Sequence, residues 1–219
     1  MCGIVGVVTG LNNQYRTEDI VNKMAKKILH RGPDHSGIYS NKELSFCCAH
    51  QRLSILDLSK NGNQPMKSFH KRYVISFNGE IYNFEQLRKQ LNSETNIKWE
   101  GKSDTEVFIN GIEFWGLEKI LDLSKGMFAF ALLDKKTKKL FLVRDRFGEK
   151  PMYWGFAGTG STRALIFGSD ISALIEFPSF NKEINPNSID AFMKFCCIPS
   201  DLTIYKSIKK IKPGEMAEF

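Results

Sequence analysis

The sequence predicts an α+β domain in which two sheets are layered with helices packed outside them. Strand-like apolar runs come in clusters, and the segments between them carry helical periodicity with start signals. In addition, 42% of the 219 residues are apolar, enough to build a sizeable core.

Ile4, Val5, Val7 and Val8 read as a buried first strand. Thr17, with Glu18 and Asp19 behind it, starts a helix whose apolar face is Ile20, Met24 and Ile28 with Val21 and Leu29 alongside. It ends before Gly32-Pro33, a turn across which Arg31 and Asp34 are placed to pair. Leu44 to Ala49 is a second strand, and Arg52 stands at the mouth of an alternating run through Leu53, Ile55 and Asp57. Tyr73 to Phe77 is a strand that runs into Asn78-Gly79-Glu80, after which Asn83 caps a helix with Phe84, Leu87 and Leu91 on one face. Ser103-Asp104-Thr105-Glu106 fits a capping box opening a helix with Val107, Phe108, Ile112 and Trp115 on its apolar side. Phe128 to Leu133 and Leu140 to Val143 form a hairpin with Lys135, Lys136, Lys138 and Lys139 at its solvated tip. Strands at Tyr153 to Phe156 and Ala164 to Phe167 follow, then a short helix from about Ile171. Another helix opens after Asn185-Pro186, and a closing strand follows Pro213-Gly214.

Composition narrows the function. The net charge is +7, yet the one dense basic run is the hairpin tip, so nucleic acid is not the expected partner. No apolar run approaches the roughly 20 residues of a membrane span, and no basic segment precedes the short apolar start; a membrane role is not expected either. The five cysteines (Cys2, Cys47-Cys48 and Cys196-Cys197) lack metal-site spacing and any disulfide framework, which fits a reducing cytoplasm, with no metal expected.

The candidate chemistry begins at the terminus. Removal of Met1, expected because the next side chain is small, leaves Cys2 with a thiol and a free α-amine on one residue. A thiol of pKa about 8.5 beside an amine near about 7.7–8.0 is a nucleophile carrying its own base. A methionine still attached makes that nitrogen a non-basic amide. Asn78 offers a side-chain N–H and Gly79 a backbone N–H, together a two-donor oxyanion hole; Asn-Gly is equally the commonest hairpin dipeptide. Arg52 suits a carboxylate. Asp104 sits in a first helical turn, where the dipole keeps it ionised, either to cap or to bind an ammonium.

Taken in order, Met1-Cys2-Gly3-Ile4, His30-Arg31-Gly32-Pro33-Asp34, Arg52-Leu53-Ser54-Ile55, Asn78-Gly79-Glu80-Ile81-Tyr82-Asn83, Ser103-Asp104-Thr105-Glu106, Gly126-Met127-Phe128-Ala129-Phe130 and Arg144-Asp145-Arg146-Phe147-Gly148 resemble the glutaminase domain of glutamine-dependent asparagine synthetases. Those are class II glutamine amidotransferases among the N-terminal-nucleophile hydrolases. The resemblance covers nearly the whole chain and implies a four-layer α-β-β-α sandwich of two mainly antiparallel sheets. It implies Cys2 as the nucleophile forming a γ-glutamyl thioester, its α-amine as general base, and Asn78 and Gly79 as oxyanion donors. Arg52 then grips the α-carboxylate of L-glutamine, Asp104 with Glu80 nearby holds the α-ammonium, and the backbone groups of Leu53 and Ile55 line the same pocket. The domain itself is expected to need no cofactor. Ammonia would pass to a synthetase domain, its own or a separate one, that uses ATP and Mg2+ to activate aspartate. Residues 1–219 are expected to be the glutaminase part, with that second domain absent; Ile198-Pro199-Ser200 through Pro213-Gly214 resembles the stretch leading into it. A homodimer is left open.

Alternative readings differ in class. Ammonia could go to a sugar or peptide-like acceptor, or the chain could bind glutamine without turnover. A Cys–His hydrolase using His30, His35, His50 or His70 is the remaining one, although no motif places any of these imidazoles.

Overall fold

The computed structural model describes residues 1–10, 15–199 and 202–219; Ser200, in the stretch likened above to a domain lead, lies outside them. The chain runs β1 (Gly3–Thr9), α1 (Thr17–Lys27), β2 (His35–Asn41), β3 (Phe46–Arg52), β4 (Met66–Lys67), β5 (Tyr73–Ile81), α2 (Phe84–Glu94), α3 (Asp104–Trp115) and α4 (Leu117–Leu123). It continues with β6 (Gly126–Asp134), β7 (Lys139–Arg144), β8 (Tyr153–Ala157), β9 (Ala164–Gly168), α5 (Ile171–Leu174), α6 (Pro186–Phe195), β10 (Ile208–Lys210) and β11 (Met216–Glu218). One sheet has the order β10-β8-β9-β1-β3-β2 and the other β11-β7-β6-β5-β4. Every pairing is antiparallel.

The layers follow from side-chain alternation. Ile4, Cys48, Val74, Ala129, Leu142 and Phe167 meet between the sheets. Their strand neighbours Val5, Cys47 and Ile166 point the other way, onto α1 and α5. On the far side Phe77, Phe128 and Phe130 pack against Phe108 of α3, with ring centroids 5.3–6.1 Å apart. The result is the expected four-layer α-β-β-α sandwich.

Several local expectations are corrected. Arg31 and Asp34 do not pair across the turn: Arg31 Nε donates to the Cys2 carbonyl at 3.1 Å, and Asp34 accepts Ser54 N–H at 2.7 Å. Leu29 leaves the apolar face of α1 for a short 3-10 turn and is exposed. The strand placed at Leu44 to Ala49 is Phe46–Arg52, so Arg52 ends a strand and the run through Leu53, Ile55 and Asp57 lies outside it. Asn83 does not cap α2 through its side chain; it ties Lys125 N–H and the Leu123 carbonyl instead, at 2.8 and 2.9 Å. Ser103 does cap α3, accepting Glu106 N–H at 3.2 Å, but the Glu106 carboxylate turns to the N–H groups of Glu100 and Gly101, so the capping box is half formed. Strands β2, β4 and β10 and helix α4 have no counterpart in the periodicity. The β2 sequence His-Ser-Gly-Ile-Tyr-Ser-Asn is an edge strand with half-buried residues and no clean alternation.

Candidate active site

The parity that builds the inter-sheet core also gathers the candidate residues. In β1, Ile4 points between the sheets, so Cys2, two residues back, points the same way. In β3, Cys48, His50 and Arg52 share that face, and the pairing of Gly3 with Gln51, carried one step outward, sets Cys2 beside Arg52. In β5, Val74, Ser76 and Asn78 share it too. All reach the end of the sandwich where β1, β3 and β5 stop and a cleft of about 320 Å3 opens.

Every predicted site residue lines that cleft: Cys2, Arg52, Leu53, Ile55, Asn78, Gly79, Glu80 and Asp104. Cys2 Sγ accepts Leu53 N–H at 3.4 Å and lies 3.7 Å from the Leu53 carbonyl. Burial pushes its thiol up, while the Leu53 N–H, the terminal amine and Arg52 pull it down and Asp104 pushes it up again. Cys2 has no hydrogen bond to a histidine among the described residues. His50 donates its Nε2–H to the Phe77 carbonyl, 2.9 Å away, and burial lowers its pKa to about 4, so its ring is neutral at pH 7.

Two candidate donor residues, Asn78 and Gly79, line the cleft. Asn78 is 1% exposed and its Nδ2 has no hydrogen-bond partner, an arrangement that ordinarily costs stability. Gly79 follows from the sheet pattern. In β5 the alternate N–H groups of Phe77 and Ile81 point away from β6, to Gln64 Oε1 at 2.6 Å and Asp104 Oδ2 at 2.8 Å. Gly79 sits between them, so its N–H points to the same edge. Only glycine fits here, because a Cβ would overlap the Met127 carbonyl oxygen and lie 2.6 Å from Phe128 Cα.

The charged side chains are unequal. Arg52 is buried, and its guanidinium already binds Ser59 O and Asn63 Oδ1 at 2.8 and 2.9 Å and the Asp57 carbonyl. These bonds fold the 53–63 loop back over the strand end and explain why the alternating run is no strand. Gly62 permits the approach, since a Cβ there would run into the guanidinium. Asp57 supports the same loop, accepting Lys102 and Ser59 N–H, which hold its carboxyl below the usual range. Asp104 departs from expectation: burial outweighs the two backbone N–H bonds from Ile81 and Thr105, and its carboxyl is raised rather than held low by the helix terminus. Ile55 is 59% exposed at the cleft edge.

Sequence reasoning missed Gln64, which orders β5 through Phe77 N–H, and Lys150, buried at the cleft edge. Lys150 lies just past the Arg144-Asp145-Arg146-Phe147-Gly148 motif, which was the available signal.

Residues 1–219 match the sequence pattern of the glutamine amidotransferase domain family. The putative asparagine synthetase [glutamine-hydrolyzing] 2 of Methanocaldococcus jannaschii is 35% identical over 230 residues, which cover 97% of this chain and 42% of that protein. Asparagine synthetase [glutamine-hydrolyzing] 3 of Bacillus subtilis is 34% identical over 224 residues, 100% of this chain and 35% of that protein. The chain thus spans less than half the length of these curated relatives. In fold it is similar to a solved allosteric regulatory enzyme of purine biosynthesis, with a TM-score of 0.69 and 19% identity over 99% of this chain and 46% of the other. The glutamine phosphoribosylpyrophosphate amidotransferase of B. subtilis, in complex with ADP and GMP, gives a TM-score of 0.66 and 17% identity over 100% and 49%.

Proposed function

The chain belongs to the glutamine amidotransferase domain family, and on that premise we propose that it hydrolyses the side-chain amide of L-glutamine at Cys2. The observation that carries this reading is the buried, unpartnered Nδ2 of Asn78 in the same cleft as the Cys2 thiol. A donor of that kind is available to a substrate oxygen, and its bond is worth most when negative charge develops there.

The steps balance with this chain's own groups. Once Met1 is removed, the Cys2 α-amine takes the thiol proton as sulfur bonds to the amide carbon. Asn78 Nδ2–H and Gly79 N–H hold the resulting oxyanion. The protonated amine returns its proton to the amide nitrogen, the C–N bond breaks, and ammonia leaves a thioester. Water, deprotonated by the same amine, then attacks the thioester carbon; the C–S bond breaks, the thiol is restored and glutamate leaves. Arg52, through its remaining N–H groups, takes the α-carboxylate. Asp104 and Glu80 take the α-ammonium, and that bound cation offsets the burial that raises the Asp104 carboxyl.

Because the relatives are asparagine synthetases, the ammonia is assigned to ATP- and Mg2+-dependent amidation of aspartate by a further synthetase domain. The test is intact mass followed by ammonia release from glutamine, for the native chain and Cys2→Ala. Loss of Met1 with ammonia released only when Cys2 is present supports the mechanism. A folded, processed chain that binds glutamine yet releases none, even with a synthetase domain supplied, would overturn it.

A further inference from the structure

Lys150 is 8% exposed, and the hydrogen bond of its ammonium is to the thioether of Met1, Nζ to Sδ 3.5 Å. A thioether is a weak acceptor, and no carboxylate pairs with Lys150 among the described residues. Burying an ammonium so poorly compensated is costly. Its placement is nevertheless firm: Lys150 N–H donates to Asp145 Oδ2 at 3.2 Å and its carbonyl accepts Arg144 Nε at 2.8 Å. The Asp145 carboxylate is itself occupied by the N–H groups of Phe128, Phe147 and Glu149 as well. The side chain therefore projects to the cleft with Cys2, Asn78 and Gly79.

Met1 Sδ is five covalent bonds from the Cys2 nitrogen, which bounds the separation of Lys150 Nζ from that nitrogen at about 10 Å. Removal of Met1 takes away the thioether and leaves the ammonium beside the new terminus. Building on the glutaminase reading above, we infer that Lys150 is a positioning residue for the Cys2 base: its positive charge keeps the Cys2 α-amine neutral, and so able to accept the thiol proton, near pH 7. A like charge disfavours the protonated amine.

Other charges act on the same nitrogen. Arg31, from the turn after α1, donates to the Cys2 carbonyl, and Arg52, from β3, lines the cleft with Asp57. Both arginines act in the direction of Lys150, but each is tied to backbone oxygens. Glu80 of β5, Asp104 of α3 and Asp57 oppose it, as do Asp145 and Glu149 on its own loop. Lys150 offsets this acidic side of the cleft.

The experiment is the pH profile of kcat/KM for glutamine hydrolysis in the processed protein, for wild type, Lys150→Met, Lys150→Gln and Lys150→Arg. Its acid limb reports the amine of the free enzyme. The expected result is an acid limb moved up by about one pH unit in Lys150→Met and Lys150→Gln, and unmoved in Lys150→Arg. An unmoved limb in the neutral variants, or an equal shift in all three variants, overturns the inference even where kcat falls. Should the neutral variants not fold, the amine is titrated in the intact chain through the Cα resonance of 13C-labelled Cys2. A midpoint below the ordinary range of about 7.7–8.0 agrees, and one within or above it overturns. A wild type that releases no ammonia would instead sink the underlying glutaminase reading.

Discussion

At the scale of single residues, the cleft separates groups already bonded from groups held ready. Arg52 and Asp57 are largely committed to shaping the 53–63 loop, whereas Asn78 Nδ2 is buried without a partner. Asn78→Ala should therefore lower kcat for glutamine hydrolysis by about 10²–10³-fold, the usual effect of removing one oxyanion donor. Because that donor makes no bond in the unliganded protein, thermal unfolding of the variant should fall little, if at all. Steady-state kinetics with a melting curve on the same sample checks both. Sequence alone named Asn78, Gly79 and Cys2 by type and order, but Asp104 shows the limit of that reading. Its position in a first helical turn argued for an ordinary, ionised carboxylate, and 6% exposure reversed the direction.

Among the elements, α3 shows how one helix start positions an acid that lines the cleft. Ser103 caps it and places Asp104 in its first turn, where Oδ2 reaches Ile81 N–H at the end of β5. Ser103→Ala should cost about 1 kcal/mol of stability, as is typical for a lost N-cap, and should raise KM for glutamine as Asp104 loosens. Chemical denaturation and the KM-against-kcat split are the measurements. An unchanged KM would mean that the bonds from Ile81 and Thr105 fix Asp104 without the cap. The helices α1, α3 and α6 were legible from their start signals, and the longer strands from apolar runs. Helix α4 was not, because it follows α3 across the single residue Gly116 and buries one residue, Ile120. Strand β2 was not, because an edge strand needs apolar residues on one face at most.

For the molecule as a whole, the two sheets enclose a titratable group with a consequence for stability. His50, fully buried between β3 and β5, has its pKa lowered from 6.5 to about 4 by burial. The unfolded chain then binds this proton from about pH 6.5 downward while the folded one does not until about pH 4, so stability is lost as pH falls through that window. The contribution is about 3 kcal/mol between pH 7 and pH 4. Denaturant midpoints across this range should show the slope, and His50→Gln should flatten it. By itself the sequence named the candidate nucleophile and base, the candidate donor pair and the acidic and basic candidates, and it determined the α+β class, since these depend on residue type, local periodicity and chain order. Only the tertiary structure decided which strand faces meet, that Gly79 N–H opens toward the cleft, that Arg52 folds its own loop, and that Lys150 lies beside the terminus. The physical reason is that burial and cross-strand register join residues distant in the chain, as in the pairing of Gly3 with Gln51, and neither is encoded in any one stretch of it.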